Sequence, residues 1–147
     1  MKTATMILGV IGSDCHAVGN KILERVFSDA GFKVINLGVM VSQDEYIDAA
    51  IETGAEVIMV SSLYGHGEID CQGFRERCVE RGLHRVIIYV GGNLVIGKTP
   101  REQVIAKFEQ MGYDRVFMPD VDLESVIELL REDIKKQRLG NESISKY

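Results

Sequence analysis

The stretch that decides the fold is MILGVIGSDCHAVG, residues 6–19. Its first part, Met6–Ile11, is a continuous apolar run, which is typical of a strand buried on both faces of a parallel sheet. A polar loop bounded by Gly12 and Gly19 follows, and the segment after it, Asn20–Ala30, has the spacing of a helix. Open α/β proteins present binding groups at a sheet edge through such a strand, loop and helix.

The same alternation of an apolar run and a helical segment occurs five times along the chain. The apolar runs are Met6–Ile11, Val34–Leu37, Val57–Ser61, Val86–Val90 and Val116–Met118. Five strand–helix units joined by right-handed crossovers predict an α/β fold. We expect a flavodoxin-like or Rossmann-like doubly wound sheet of five parallel strands, (βα)5, with the strand order 2-1-3-4-5.

Caps and glycines predict the helix boundaries. The spacing predicts helices over Asn20–Ala30, from Ser42, over Glu68–Glu80, from Thr99 and over Asp122–Arg138. The segments Ser42–Glu45 and Thr99–Glu102 each have the pattern of a capping box, the second with a proline in its first turn. A glycine that can end the helix in the left-handed conformation follows each helical segment: Gly31, Gly54, Gly82, Gly112 and Gly140.

Length and composition indicate one domain, which we expect over residues 1–140, with a polar tail over residues 141–147. The chain has 147 residues, of which 46% are hydrophobic, enough for a sizeable core. The net charge of −5 without a basic block argues against a nucleic-acid partner. No apolar run approaches the roughly 20 residues of a membrane span, and a signal-peptide pattern is missing. Three cysteines favour reduced thiols and a cytoplasmic location.

Polar and small residues follow three of the five predicted strands. In a doubly wound sheet, ligands bind beyond the carboxyl ends of the strands, where the first and third strands adjoin. The segments at those ends are Ser13–His16, Ser61–Gly67 and Gly91–Lys98. Because Ser61, Gly91 and Gly92 are small, they leave room for a bulky group between strands and loops, which predicts a deep slot.

Asp14 and His16 lie two residues apart, so their side chains can share one side of an extended loop. A carboxylate there can hold one imidazole nitrogen while the other faces outward as a base or metal ligand. A surface loop with an incidental histidine is the alternative on these residues alone. Dinucleotide and P-loop motifs are missing, and no common zinc spacing occurs. Cys71 and Cys78, on one face of the third predicted helix, are expected to be core thiols.

Three motifs resemble the D-x-H-x-x-G, S-x-L and G-G signature of the domains that bind cobalamin base-off, with the cofactor's own base displaced from cobalt. They are Asp14-x-His16-x-x-Gly19, Ser61-x-Leu63 and Gly91-Gly92. They fall in the right order at the ends of the predicted strands, and the likeness covers nearly the whole chain. The resemblance therefore implies a cobalamin-binding domain.

The resemblance also implies residue roles. His16 would be the lower axial ligand of cobalt, Asp14 would hydrogen-bond the other imidazole nitrogen, and Gly19 would let the helix start near the nucleotide tail. Ser61 and Leu63 would line the slot for the dimethylbenzimidazole base. The cofactor-binding residues expected on this basis are Ser13, Asp14, Cys15, His16, Ala17, Gly19, Ser61, Ser62, Leu63, Gly91, Gly92, Asn93, Leu94, Val95, Ile96 and Gly97.

Within this family, a free-standing domain whose motif begins at Asp14 is similar to the small subunits of glutamate mutases. The resemblance implies base-off adenosylcobalamin as cofactor and a radical rearrangement of L-glutamate to threo-3-methylaspartate. It implies no catalytic residue in this chain beyond cofactor ligation. The expected partner is a large catalytic (epsilon-type) subunit, in a heterotetramer of two small and two large subunits. Two alternatives remain: a corrinoid carrier protein of a methyltransferase, and a flavodoxin-like binding module without cobalamin.

Overall fold

The computed structural model describes residues 3–12, 18–62, 67–92, 94 and 99–145. In this part of the chain, five strands alternate with six helices. The strands are β1 (Thr5–Val10), β2 (Lys33–Asn36), β3 (Val57–Ser62), β4 (Ile87–Gly92) and β5 (Arg115–Phe117). The helices are α1 (Val18–Asp29), α2 (Gln43–Thr53), α3 (Gly67–Asp70), α4 (Phe74–Glu80), α5 (Arg101–Gln110) and α6 (Leu123–Ser145).

The five strands form one parallel sheet with the order β2-β1-β3-β4-β5. The predicted fold class and strand order are thereby confirmed. The register pairs Val10 with Ser61, and Ser61 with Gly91. The carboxyl ends of β1, β3 and β4 therefore meet at one edge of the sheet, where a doubly wound fold binds its ligands.

Each face of the sheet carries its own hydrophobic core. Successive side chains of a strand point to opposite faces, so Ile58 and Val60 pack on one face and Val57 and Met59 on the other. Side chains of α2, α4 and α5 cover the first face, and those of α1 and α6 cover the second. These two sides are called the α2 face and the α1–α6 face below.

The predicted cap of α2 is confirmed, and that of α5 is wrong. Ser42 Oγ accepts a hydrogen bond from the Glu45 N–H, and the Glu45 carboxylate accepts one from the Ser42 N–H, which completes the capping box. In α5 the N-cap is Pro100, and no side-chain cap forms on it. The backbone of Pro100 is still extended, with ψ 142°, so the helix begins one residue later than Thr99–Glu102 predicts.

The helix predicted over Glu68–Glu80 is two helices in the structure. The break falls at Gly73, whose φ of +77° interrupts the helical backbone. Cys71 lies in the turn between α3 and α4, so the prediction that it shares a helix face with Cys78 is wrong. Both thiols are buried, which confirms their place in the core. Burial raises the pKa of Cys71 to about 12 and that of Cys78 to about 11.

Four of the five predicted glycine stops are confirmed by left-handed backbones, at Gly31, Gly54, Gly82 and Gly112. Gly140 instead lies inside α6, so the predicted helix end there is wrong. A glycine inside a helix costs only about 1 kcal/mol, and the preceding turn is tied to the sheet by the Arg138–Glu56 ion pair at 2.6 Å. None of the helices in the described residues is long and apolar enough to cross a membrane.

Candidate functional site

A cavity of about 350 Å³ lies at the carboxyl edge of the sheet, on the α1–α6 face. Its walls come from the beginning of α1, the ends of β3, β4 and β5, the segment after β5 and the beginning of α6. This volume falls within the range of small-molecule sites, and its location is the one that the strand order predicts.

Apolar side chains form the two helical walls of the cavity. Ile22, Leu23 and Phe27 come from α1, and Leu123 and Val126 come from α6. Ile22 is 54% exposed, so this wall is partly open instead of filled by core packing. A flat aromatic group between two such walls would have both of its faces removed from water, which is favourable for apolar surface.

The ends of β3 and β4 form the floor of the cavity. Ser61, which is 4% exposed, brings a hydroxyl group to this floor. A Cβ built on Gly91 would lie 3.5 Å from the carbonyl oxygen of Phe117, which is an ordinary contact distance. The backbone therefore tolerates a side chain at Gly91, and its absence keeps the floor open.

A hydrogen-bond network ties the beginning of α1 to the segment after β2. Asn20 is 2% exposed, and its Nδ2 donates to the carbonyl oxygen of Gly38 at 3.0 Å. Its Oδ1 accepts a hydrogen bond from Nδ2 of Asn36, which also donates to Glu24. Asn36 Oδ1 in turn accepts from the Gly38 N–H at 2.9 Å. This network holds the α1 wall of the cavity in place.

The α6 wall is anchored by an ion pair beneath the cavity. Asp133 of α6 accepts hydrogen bonds from Arg115 at 2.8 and 3.1 Å and a further one from the Tyr89 hydroxyl. Burial acts to raise the pKa of Asp133, but the bonds from Arg115 and Tyr89 outweigh it and lower the pKa below its ordinary value. The Tyr89 ring packs against Phe117 with centroids 5.3 Å apart, which joins this anchor to the cavity.

The structure brings some of the predicted site residues together and separates others. Gly19, Ser61, Gly91 and Gly92 border the cavity. Ser62 lies on the α2 face because neighbouring strand residues point to opposite sides, and its buried Oγ has no hydrogen-bond partner among the described residues. Leu94 packs into the α2-face core. The other predicted residues lie outside the described part of the chain: Ser13, Asp14, Cys15, His16, Ala17, Leu63, Asn93, Val95, Ile96 and Gly97.

The segment after β5 was not predicted as part of the site. Met118, Pro119 and Val121 border the cavity together with the beginning of α6. These residues follow the carboxyl end of β5, which lies next to β4, just as the predicted site residues follow β1, β3 and β4. Their position after a strand could therefore have predicted them. The walls from α1 and α6 could not be predicted from the sequence, because apolar residues at helical spacing are equally typical of a helix face that packs in the core.

Comparison with known proteins shows the family of the chain. A family model described as a B12 binding domain matches residues 4–121. The chain is also 66% identical over 137 residues to the glutamate mutase sigma subunit of Escherichia coli O157:H7, covering 93% of this chain and 92% of that protein. The chain belongs to the B12-binding domain family, among the glutamate mutase sigma subunits.

Further comparisons support the family and the fold. The sigma subunit of Carboxydothermus hydrogenoformans is 58% identical over 134 residues, 91% of this chain and 98% of that one. A solved cobalamin-binding protein from Desulfitobacterium hafniense superposes with a TM-score of 0.71 at 20% identity, covering 88% of this chain and 58% of that one. The Methanosarcina barkeri monomethylamine corrinoid protein gives 0.71 at 19% identity, covering 89% and 58%. At such identities the structural likeness shows the fold alone.

The cavity has the chemistry that the cofactor of this family requires. Cobalamin ends in a nucleotide tail whose base is flat and largely apolar. Apolar walls, a floor left open at Gly91 and a hydroxyl at Ser61 fit such a base. The described residues contain no group of three or more His, Cys, Asp or Glu that could hold a metal ion, and the predicted cobalt ligand His16 lies outside them.

Proposed function

We propose that this chain is the cobalamin-binding subunit of a glutamate mutase and binds adenosylcobalamin base-off. The observation that carries the proposal is the apolar cavity at the carboxyl edge of the sheet, which Gly19, Ser61, Gly91 and Gly92 of the three sequence motifs border. The 66% identity to a glutamate mutase sigma subunit supports the choice of enzyme.

In this proposal the nucleotide tail lies in the cavity. The walls from α1 and α6 cover the two faces of the dimethylbenzimidazole, and the Ser61 hydroxyl donates a hydrogen bond to its free nitrogen. Gly91 and Gly92 let the base approach the ends of the strands. The remaining contacts come from Leu63 and from the segment Asn93–Gly97.

In this proposal the first motif, Asp14-x-His16-x-x-Gly19, holds the cobalt end of the cofactor. His16 would ligate the cobalt, and Asp14 would accept a hydrogen bond from the other imidazole nitrogen. That bond fixes the tautomer and raises the basicity of the ligand. Ser13, Cys15 and Ala17 flank these two residues. When bound, adenosylcobalamin supplies an organic radical through homolysis of its cobalt–carbon bond.

A second subunit is needed for the substrate. L-Glutamate and threo-3-methylaspartate each carry two carboxylates, which proteins commonly hold with arginine. Residues 12–19, 61–67 and 91–97, which follow the strands at the binding edge, contain no arginine. A large catalytic (epsilon-type) subunit therefore supplies the substrate chamber and covers the upper face of the cofactor. We further propose a heterotetramer of two small and two large subunits, in the cytoplasm.

The proposal is tested by combining this chain with the large subunit of a glutamate mutase, adenosylcobalamin and L-glutamate, and measuring 3-methylaspartate. Turnover is expected only when both proteins are present. The His16→Gly variant should lose at least about 100-fold in turnover, since the cobalt ligand is missing. His84→Gly, at an exposed histidine beyond the opposite sheet edge, is the matched control and should keep wild-type turnover.

Two results would contradict the proposal. Cobalamin binding without turnover alongside an active large subunit would favour a corrinoid carrier. A chain that binds no cobalamin at all, with or without the large subunit, would favour a binding module of another kind.

A further inference from the structure

The first half of α1 is anchored to the sheet by a buried amide. Asn20 and Phe27 are the buried residues of this helix, and Asn20 is 2% exposed. Its neighbours on either side, Val18 and Ile22, are 77% and 54% exposed, and Leu23 is only partly buried. The beginning of α1 is therefore held by the hydrogen bonds of a polar side chain more than by apolar packing.

One carbonyl group joins this anchor to the sheet. The carbonyl oxygen of Gly38 accepts hydrogen bonds from Nδ2 of Asn20 at 3.0 Å and from the N–H of Val10 at 2.9 Å. Val10 is the last residue of β1, and Gly38 follows the end of β2, so both lie at the carboxyl edge of the sheet. The position of α1 relative to the ends of these two strands is therefore set at this carbonyl group.

Asn36, at the end of β2, fixes the orientation of the Asn20 amide. Its Nδ2 donates to Oδ1 of Asn20 and, at 3.0 Å, to the carboxylate of Glu24, one turn further along α1. Its Oδ1 accepts from the Gly38 N–H at 2.9 Å. Because a backbone N–H only donates and a carboxylate only accepts, the Asn36 amide fits in one orientation. A change at Asn36 therefore leaves the buried oxygen of Asn20 without its donor.

We propose that Asn36, acting through Asn20, is a positioning residue that gives the chain its preference for corrinoids with a nucleotide tail. Asn20, Ile22 and Leu23 border the cavity, and Asn36 does not. Asn36 therefore acts on the cofactor through the placement of the α1 wall. The inference rests on the proposed function, because it takes the tail to lie between the walls from α1 and α6. A wall held in place before binding lowers the cost of ordering the site around the tail.

The test compares cobalamin with cobinamide, the corrinoid that lacks the nucleotide tail. In Asn36→Ala, the dissociation constant for cobalamin, followed by visible absorption, is expected to rise about tenfold, because a buried amide loses its hydrogen bond. The dissociation constant for cobinamide is expected to stay within about twofold of the wild-type value, because cobinamide leaves the cavity empty. Gln137→Ala is the matched control and should change neither constant. Its amide donates from α6 to the carbonyl oxygen of Arg85, at the opposite sheet edge.

A second pair of variants tests the direction of the hydrogen bonds. Asn36→Asp replaces the donor to Asn20 and Glu24 with an acceptor, so the dissociation constant for cobalamin is expected to rise further than in Asn36→Ala. Adding Glu24→Gln supplies a donor to the new carboxylate. The double variant is therefore expected to bind cobalamin more tightly than Asn36→Asp alone, a recovery that a merely structural role of position 36 does not predict.

Hydrogen exchange of the cobalamin-bound Asn36→Ala chain should be faster than in the wild type within α1 and unchanged in β3 and β4. Faster exchange in all three elements would overturn the inference, since it assigns Asn36 to the stability of the whole chain. So would wild-type affinity for cobalamin, equal losses for cobalamin and cobinamide, or a double variant without recovery. A wild-type chain that binds cobinamide as tightly as cobalamin would instead overturn the proposed place of the tail, and the inference with it.

Discussion

Filling the floor of the cavity at Gly91 should separate stability from cofactor binding. In Gly91→Val, the new Cβ lies 3.5 Å from the carbonyl oxygen of Phe117 and 3.6 Å from its Cβ, so the Cβ itself meets no clash in β4. Valine suits a strand and restricts the unfolded chain, which contributes about 0.5–1 kcal/mol. We expect the free energy of unfolding without cofactor to rise by this amount, and the midpoint temperature to rise by about 2–4 °C.

The three side-chain carbon atoms that Gly91→Val adds occupy space that the proposed nucleotide base needs. Overpacking a close-fitting site costs about 1–3 kcal/mol, which raises the dissociation constant for cobalamin about 5- to 150-fold. Visible absorption titration of the purified chain measures this change. Gly91→Ala adds a single carbon, and its dissociation constant is expected to lie between those of the wild type and Gly91→Val.

Two outcomes would refute this reasoning. A stable Gly91→Val chain with the wild-type dissociation constant would mean that the nucleotide tail lies elsewhere. A less stable chain would mean that β4 does not tolerate the side chain and that the glycine serves the fold.

Three further predictions concern single side chains. Ser61→Ala should raise the dissociation constant for cobalamin about 2- to 12-fold, the loss expected for one neutral hydrogen bond; an unchanged value in the same titration would show that the hydroxyl is not used. Asp133→Asn should lower the free energy of unfolding by about 1–2 kcal/mol near pH 7. The folded-state pKa of Asp133 is lowered from 3.8, so the carboxylate contributes stability above that pH and loses it as the pH falls further. The stability difference between wild type and Asp133→Asn should therefore shrink at low pH. Equal differences in urea unfolding at pH 7 and at pH 3 would contradict this prediction. Cys71 and Cys78, with pKa values of about 12 and 11, should resist iodoacetamide at pH 8 until urea is added, and rapid native labelling in peptide mass spectra would contradict their burial.

The strands were the most predictable part of the fold, because burial on both faces leaves a direct trace in the sequence. Continuous apolar runs predict all five strands. The crossover rules favour a doubly wound sheet, and the order 2-1-3-4-5 was expected by analogy with flavodoxin-like folds, because the sequence does not fix it. Helix ends were less predictable. Gly73 lies in the break between α3 and α4, whereas Gly140 lies inside α6, although both interrupt a helical pattern. The difference lies in tertiary contacts along α6, which local sequence does not contain.

The candidate site was predictable where it follows the ends of strands. Ser61 and Gly91 were predicted from their position and border the cavity. Ser62 could have been separated from Ser61 by the two-residue period of a strand, which sends neighbours to opposite faces. Leu94 and the wall after β5 could not have been assigned in this way, because an apolar residue in a loop is equally suited to a core and to a cavity. Only the tertiary packing distinguishes the two: Leu94 packs into the α2-face core, and Pro119 and Val121 border the cavity.

The central claim is that this chain binds cobalamin base-off through its own histidine. EPR of cob(II)alamin bound to ¹⁵N-labelled chain tests it most directly, with unlabelled cofactor. We predict that the nitrogen splitting changes from the triplet of ¹⁴N to the doublet of ¹⁵N on labelling, and that it disappears in His16→Gly. A triplet that is unchanged by labelling would mean that the cofactor's own base stays on cobalt, and it would contradict the account.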